Sequence, residues 1–444
     1  MSYYTFKGGI HPPENKDTTK GIAIEKATEP ATVMIPLQQH IGSPCEPIVK
    51  VGDSVRVGQK IGRAEGFVCV PVHASISGTV KAIKEVPLNT GVEGMAVVIE
   101  SDGKNEKDPS VESKGDLDKI TSEEIIEMIK EAGIVGMGGA TFPSHVKLSP
   151  PPEDKIDTII LNGAECEPYL SADHRLMLEG ADDIVLGLKI IMKAAGVENA
   201  YIGIENNKPD AIDTMLKAVE NEDNIKIAIL ETKYPQGGEK QLINAITKRE
   251  VPSGGLPKDI GVIVFNVGTS AQIAKTFRTG MPLIERVITV GGNGVRKPKN
   301  LLAKIGTPIK DLIQQCDGYA DDVGKIILGG PMMGIAQHTD EVAVVKGTSG
   351  LLVFDKKEAT IPEPSNCIRC GRCIEVCPIN LQPLFISENS LNNRFEEAER
   401  YRALDCIECG SCSYICPAKR PLLPSIKVAK DQIIARHSRK NKSN

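Results

Sequence analysis

The 444-residue chain contains no tryptophan, and aromatic residues make up only 4% of it. Stacking platforms for single-stranded nucleic acid are therefore scarce. Long apolar runs are also missing. The most apolar stretches, 184–192 and 260–267, are far shorter than the roughly 20 residues of a membrane-spanning helix, and the first contains Lys189. The start, Met1 to Lys7, has no basic segment followed by an apolar one, so no secretory signal is expected. Walker loops and Ser-His-Asp arrangements are absent. The seven histidines do not fall at metal-ligand spacing and read as surface or packing residues; only His145, close to a glycine cluster, invites a test.

What is present describes a folded protein of two to four domains, with 41% hydrophobic and 25% charged residues. The net charge of −5 is unevenly spread: from Lys419 onward there are eight Lys/Arg and one acid, Asp431. An acidic body argues against a nucleic-acid partner. The basic tail reads either as a solvated terminus or as a contact for an anionic membrane surface or acidic partner.

Twelve cysteines carry the strongest signal, because eight of them form two copies of one pattern. Cys367, Cys370, Cys373 and Cys377 are followed by Pro378, and Cys406, Cys409, Cys412 and Cys416 by Pro417. This is the spacing that holds cubane [4Fe–4S] clusters, the fourth cysteine of each run reaching across to the other cluster. The expected sets are thus Cys367, Cys370, Cys373 and Cys416, and Cys406, Cys409, Cys412 and Cys377. Structural zinc prefers two separated pairs, and disulfides need an oxidising compartment. Cys45, Cys69, Cys166 and Cys316 read as ordinary thiols. Helix formers at 392–402 and helical apolar spacing at 425–435 predict a helical two-cluster domain.

Clusters move single electrons, so a cofactor pocket is expected elsewhere. A helix opened by Thr121 and Glu124 leads to the loop of Gly136, Gly138 and Gly139, whose backbone N–H groups can approach a phosphate or flavin. Alone, such a cluster is equally a plain loop, and it is not a GxGxxG fingerprint. The run 157–161 predicts a buried parallel strand ending in Asn162-Gly-Ala-Glu-Cys-Glu-Pro168. A second strand, 261–265, runs into Asn266-Val-Gly-Thr-Ser270 and a helix over 271–277, with Thr269 or Ser270 as its cap.

In this order, Gly-x-Gly-Gly-Ala-x-Phe-Pro, Asn-x-x-Glu-x-Glu-Pro and Asn-Val-x-Thr resemble the flavin and nicotinamide site of the flavoprotein subunit of respiratory complex I, over about 120–294. The resemblance implies that Gly136, Gly138 and Gly139 cradle non-covalent FMN, which Lys147 helps neutralise and Asn162 and Glu165 line. It implies Asn266 and Thr269 at the phosphate, Phe142 facing the adenine of NAD(H), and Glu167 near the nicotinamide. Glu165 and Glu167 are thus the candidate catalytic acids. Gly238-Glu239 resembles a ribose-binding pair. The chain departs from that family at Met137, Ala164 and Cys166, where the family has arginine, an acid and serine.

Residues 51–61 and 71–80 look like the halves of a biotinyl/lipoyl-type β-sandwich without the carrier lysine, read as structural. Residues 299–334 resemble a soluble-ligand-binding β-grasp domain. The fold class expected is multidomain α/β and α+β: a sandwich domain (1–118), a Rossmann-like FMN/NAD domain (119–295), a β-grasp domain (296–360), a two-cluster ferredoxin domain (361–425) and a basic tail (426–444). This order resembles the C-subunit family of Rnf-type ferredoxin:NAD oxidoreductase complexes. That resemblance implies a peripheral subunit on the cytoplasmic face of the membrane. It would pass electrons through two [4Fe–4S] clusters to FMN and on to NAD, beside a ferredoxin-type B subunit and flavin-bearing membrane subunits of an ion-pumping complex. Two alternatives stay open: a cobalamin reductase of diol-degrading microcompartments, and a non-catalytic electron wire.

Overall fold

Short alternating strands build the first unit of this computed structural model, which describes residues 3–443, with side chains through residue 440. One sheet orders Thr32–Pro36, Glu93–Ser101, Gly78–Pro87 and Ser54–Val55; a second orders Glu46–Pro47, Lys60–Arg63 and Val72–His73. Val33, Ile35, Ile61, Val72 and Ile99 share their core. Gly78 is needed where its strand passes close to the next: a Cβ there would lie 1.9 Å from the Glu100 carbonyl oxygen. Both expected sandwich halves fall in this unit.

The middle of the chain forms a four-stranded parallel sheet in the order Ile225–Leu230, Asn199–Glu205, Thr158–Asn162, Val262–Asn266. In chain order this is 3-2-1-4, so the winding reverses between Thr158–Asn162 and Val262–Asn266. Ile159, Ile160 and Leu161 are fully buried, as an unbroken apolar run requires when both faces are covered. Helices Ala181–Ala195 and Val267–Thr279 cross closely at Gly187, where a Cβ would fall 1.8 Å from the Ser270 carbonyl oxygen. The helix expected after Thr121 is Ser122–Glu131, with a reciprocal Thr121–Glu124 capping box.

A six-stranded mixed sheet follows, ordered Ile24–Lys26, Lys299–Lys304, Glu285–Gly291, Gly350–Asp355, Val323–Leu328, Ile335–Gln337. Two of its strands come from unexpected places. Ile24–Lys26 pairs parallel to Lys299–Lys304, and residues ahead of it bridge to Leu230 and Tyr234, so the chain's start runs across the later units. Glu285–Gly291 pairs with Lys299–Lys304 and Gly350–Asp355, so sheet membership changes ahead of residue 295.

The C-terminal unit packs helices Pro383–Leu391, Phe395–Arg400 and Leu422–Ser443 around Ile386, Ala398, Ile426, Ala429 and Ile433. The helix expected over 392–402 covers only 395–400, because Asn393 takes a left-handed backbone (φ 55°) and breaks it from the helix before. The region read as a basic tail is helical as far as it is described: residues 426–443 continue a helix running from Leu422, Arg436 pairs with Glu396 at 2.7 Å, and residue 444 lies outside the described residues. Among the described residues, no helix is long and apolar enough to cross a membrane.

Candidate functional site

Asn162 and Asn266 are register partners at the carboxyl ends of the neighbouring strands Thr158–Asn162 and Val262–Asn266, where the winding reverses. Strand ends at such a point leave a crevice for ligands. The loop after Ser122–Glu131 closes over this crevice: Gly136 N–H donates to the Phe142 carbonyl (2.9 Å), and Ser144 N–H to that of Ile134 (3.1 Å). Met137 is gripped from both sides, its N–H donating to Thr269 Oγ1 (3.0 Å) and its carbonyl accepting from Arg286 (3.1 Å). Gly138 lies against Asn266, whose Nδ2 would meet a Cβ at 2.8 Å, whereas a Cβ on Gly139 would meet nothing within 4 Å. The loop is thus held by protein on one side and open on the other, as a ligand cradle requires.

Asn266, not Thr269 or Ser270, caps the helix, its side chain accepting from Gly268 N–H at 2.8 Å. The strand passes directly into the helix, which leaves Thr269 and Ser270 inside the first turn. Asn266 Nδ2 also donates to Asp173 (2.6 Å), and Asn162 Nδ2 donates to the Gly237 carbonyl (2.8 Å). The loop 235–238 therefore forms a second wall. It carries Gln236, fully buried with both amide atoms unpartnered, polar capacity of a kind that a ligand satisfies. Lys147 pairs with Glu239 at 3.0 Å and donates to the Val264 carbonyl, so it meets this rim already neutralised.

The two candidate acids are both held by backbone N–H groups. Glu165 has a left-handed backbone (φ 46°) that turns its carboxylate onto the start of helix Ala172–Glu179, accepting from Asp173 N–H (2.7 Å) and His174 N–H (3.2 Å). Glu167 accepts from Met332 N–H at 3.0 Å, and burial pushes its carboxyl up to about 7. Both carboxylates are engaged by backbone donors: one caps a helix and the other ties this loop to the six-stranded sheet unit. Phe142 contributes its backbone carbonyl to the loop closure.

Three residues that no sequence motif marked complete the surroundings. Asp173 is held above the usual carboxylate range by burial and by Glu165 beside it. Arg286 is buried and pushed down to about 10 by desolvation, with Asp173 its compensating charge. Lys16, from the chain's start, lies buried 3.9 Å from Glu165. Asp173 was visible as an acid in a helical first turn, but nothing local pointed to Arg286 or Lys16.

The eight cysteines of the repeated pattern sit in two backbone copies. Arg369 and Glu408 (φ 55° and 59°), Gly371 and Gly410 (both 78°), and Asn380 and Lys419 (55° and 50°) occupy matching positions. Cys377, Cys406, Cys409 and Cys412 line one cavity, closed by Ile407, Leu423 and Ile426. Cys373 has Cys416 and Cys367 as neighbours. Both groupings cross between the runs, and the donor sets suit thiolate-held clusters. Cys367 and Cys370 are exposed, whereas Cys377, Cys409 and Cys412 are buried. Cys409, Tyr234 and Cys166 belong to one apolar cluster, with Tyr234 1% exposed and its hydroxyl unpartnered. The inner cysteine set therefore adjoins the loop that walls the crevice.

Four family models match the chain: an RnfC barrel sandwich hybrid domain over 4–104, a Nuo51 FMN-binding domain over 129–275, an SLBB domain over 287–336 and a 4Fe-4S dicluster domain over 359–417. Among curated proteins, the C subunit of the Na(+)-translocating ferredoxin:NAD(+) oxidoreductase complex of Acetobacterium woodii is 54% identical, covering 99% of this chain and all of that one. The C subunit of the proton-translocating ferredoxin:NAD(+) oxidoreductase complex of Clostridium ljungdahlii is 49% identical over 96% of this chain and 94% of that one. A solved NAD+-reducing [NiFe]-hydrogenase in its H2-reduced state aligns over 73% of this chain and 63% of that one, under two thirds of its length, at 16% identity and a TM-score of 0.47.

Proposed function

The chain belongs to the C-subunit family of ion-translocating ferredoxin:NAD(+) oxidoreductase complexes, and from that membership we propose that it is the NAD-reducing subunit of such a complex. It is an oxidoreductase with an FMN-binding domain and a 4Fe-4S domain. The finer reading is that the parallel sheet is Rossmann-like, the six-stranded sheet unit a β-grasp fold, and the cysteine unit a holder of two clusters. The domain order sandwich, FMN/NAD, β-grasp, ferredoxin follows. The chain would sit at the cytoplasmic face of the membrane, beside a ferredoxin-type subunit and flavin-bearing membrane subunits.

When bound, the clusters supply single-electron transfer and the flavin supplies hydride exchange with nicotinamide. The chain's own residues hold and orient these groups. Gly136, Gly138 and Gly139 offer backbone N–H groups to the flavin, and the start of Val267–Thr279, capped by Asn266, favours its phosphate. Asn162 and the Lys147–Glu239 pair border the crevice. Cys367, Cys370, Cys373 and Cys416 hold the outward cluster, reachable by an electron donor. Cys377, Cys406, Cys409 and Cys412 hold the inward one, against Tyr234 and Cys166. No acid–base pair is needed, which accords with Glu165 and Glu167 being occupied by structural hydrogen bonds.

The shared packing of Cys409, Tyr234 and Cys166 carries this reading, because it joins the cluster unit to the crevice within one chain. Anaerobic purification with metal and flavin analysis tests it. About eight iron and about one FMN per chain, with NADH-driven reduction of ferricyanide, are expected. Flavin-free protein that binds iron fully, or flavin-loaded protein inert to NADH, would refute it.

A further inference from the structure

Far from the eight repeated cysteines, the sandwich unit brings together three residues that the sequence scatters. His40, Cys45 and Cys69 are all buried, and their Nε2 and Sγ atoms lie within 4.8 Å of one another. Cys45 Sγ is 3.9 Å from Cys69 Sγ, which is 3.7 Å from His40 Nε2. A tetrahedral cation with M–S of about 2.3 Å and M–N of about 2.0 Å would place its ligands about 3.8 Å (S–S) and about 3.5 Å (S–N) apart. The observed separations are therefore close to those of a coordination shell and too long for a disulfide, whose sulfurs are about 2.05 Å apart.

The surroundings agree. His40 Nδ1 faces the Ile41 carbonyl at 3.1 Å, the partner that fixes Nε2 as the free lone pair in metal-bound histidines. Nε2 presently accepts from Val70 N–H (3.2 Å), and the thiols donate to the carbonyls of Val70 (3.1 Å) and Ser43 (3.2 Å). These weak contacts are what a cation would replace. Lys346 lies near both thiols, 1% exposed, and its ammonium donates to the carbonyls of Pro71 and Gly133.

We infer that His40, Cys45 and Cys69 form a site for a single thiophilic d10 cation, Zn(II) or Cu(I). Binding would release the two thiol protons to solvent, two thiolates and one neutral imidazole becoming ligands, with no change of oxidation state. The loop it would fix ends in Phe67, whose carbonyl meets His145 Nε2 at 3.0 Å beside the glycine loop, so the cation would clamp the sandwich to the crevice's edge.

The test uses full-length protein purified anaerobically with its iron and flavin counted. About one zinc or copper per chain is expected. C45S and C69S should each cut that metal at least fivefold while iron and flavin stay unchanged. Because either variant can fail to fold, X-ray absorption at the zinc edge of the unaltered protein, loaded with one equivalent of zinc, gives a second reading: two sulfurs at about 2.3 Å and at least one nitrogen support the site. Zinc and copper at background after loading, a zinc signal of four sulfurs, metal retained in both variants, or an intact mass lower by two hydrogens from a Cys45–Cys69 disulfide would each overturn it.

Discussion

Gly138 and Gly139 are neighbours in one loop, yet they separate packing from binding. A methyl on Gly138 collides with Asn266, whereas one on Gly139 meets only open space. Gly139→Ala is therefore expected to leave the melting temperature of flavin-free protein within about 1 °C of the parent while lowering FMN content at least fivefold; unchanged flavin would place the cradle elsewhere. Glu167 gives a pH signature. Burial raises its carboxyl to about 7 against an ordinary 4.5, so the folded protein holds a proton that the unfolded chain releases. Its contribution to stability is full below about 4.5 and declines as pH rises through 7. Glu167→Gln keeps the acceptor for Met332 N–H and removes the charge, so its advantage over the parent should grow between pH 5 and pH 8, by at most about 3 kcal/mol. Thermal melts at the two pH values check this; a pH-independent difference contradicts it. The aim of these acids was not legible in the sequence, because the left-handed backbone at Glu165 breaks the alternation by which a strand end presents side chains.

Among elements, the apolar strands at the crevice were legible because they are buried on both faces and read as unbroken runs. The helix after Asn266 was placed four residues late, since Thr269 and Ser270 are cap-type residues and no loop separates strand from helix. Asn266→Ala removes both the cap and the bond to Asp173, and should cost about 1–2 kcal/mol and reduce flavin retention, measured by denaturant melts and flavin counts. The last helix was read only over 425–435, because every residue from Arg436 to Ser443 is polar and no apolar spacing marks its continuation. Ile426 lines the cavity of the inner cysteine set. Ile426→Ala should lower stability by about 2–5 kcal/mol and selectively broaden or remove the signal of the inner cluster in electron paramagnetic resonance. Equal loss of both clusters would show that the helix supports the whole unit.

At the scale of the molecule, the cysteine pattern and the order of units were readable from sequence because fixed spacing carries the ligand chemistry itself. The contacts between units were not. Lys16, Arg286 and Tyr234 reach the crevice from distant parts of the chain, and the opening residues add a strand to a sheet built largely from residues beyond 285. On the proposed function, these contacts order the electron route: exposed cysteines outside, buried ones inside, then Tyr234 and Cys166, then the crevice. The most direct measurement is rapid mixing of the photoreduced, flavin-loaded chain with NAD+, following cluster absorbance and NADH together. NADH should form as fast as the clusters reoxidise, and not at all in flavin-free Gly139→Ala protein with full iron content. Clusters that stay reduced in the loaded chain, or NADH formed equally without flavin, would contradict it.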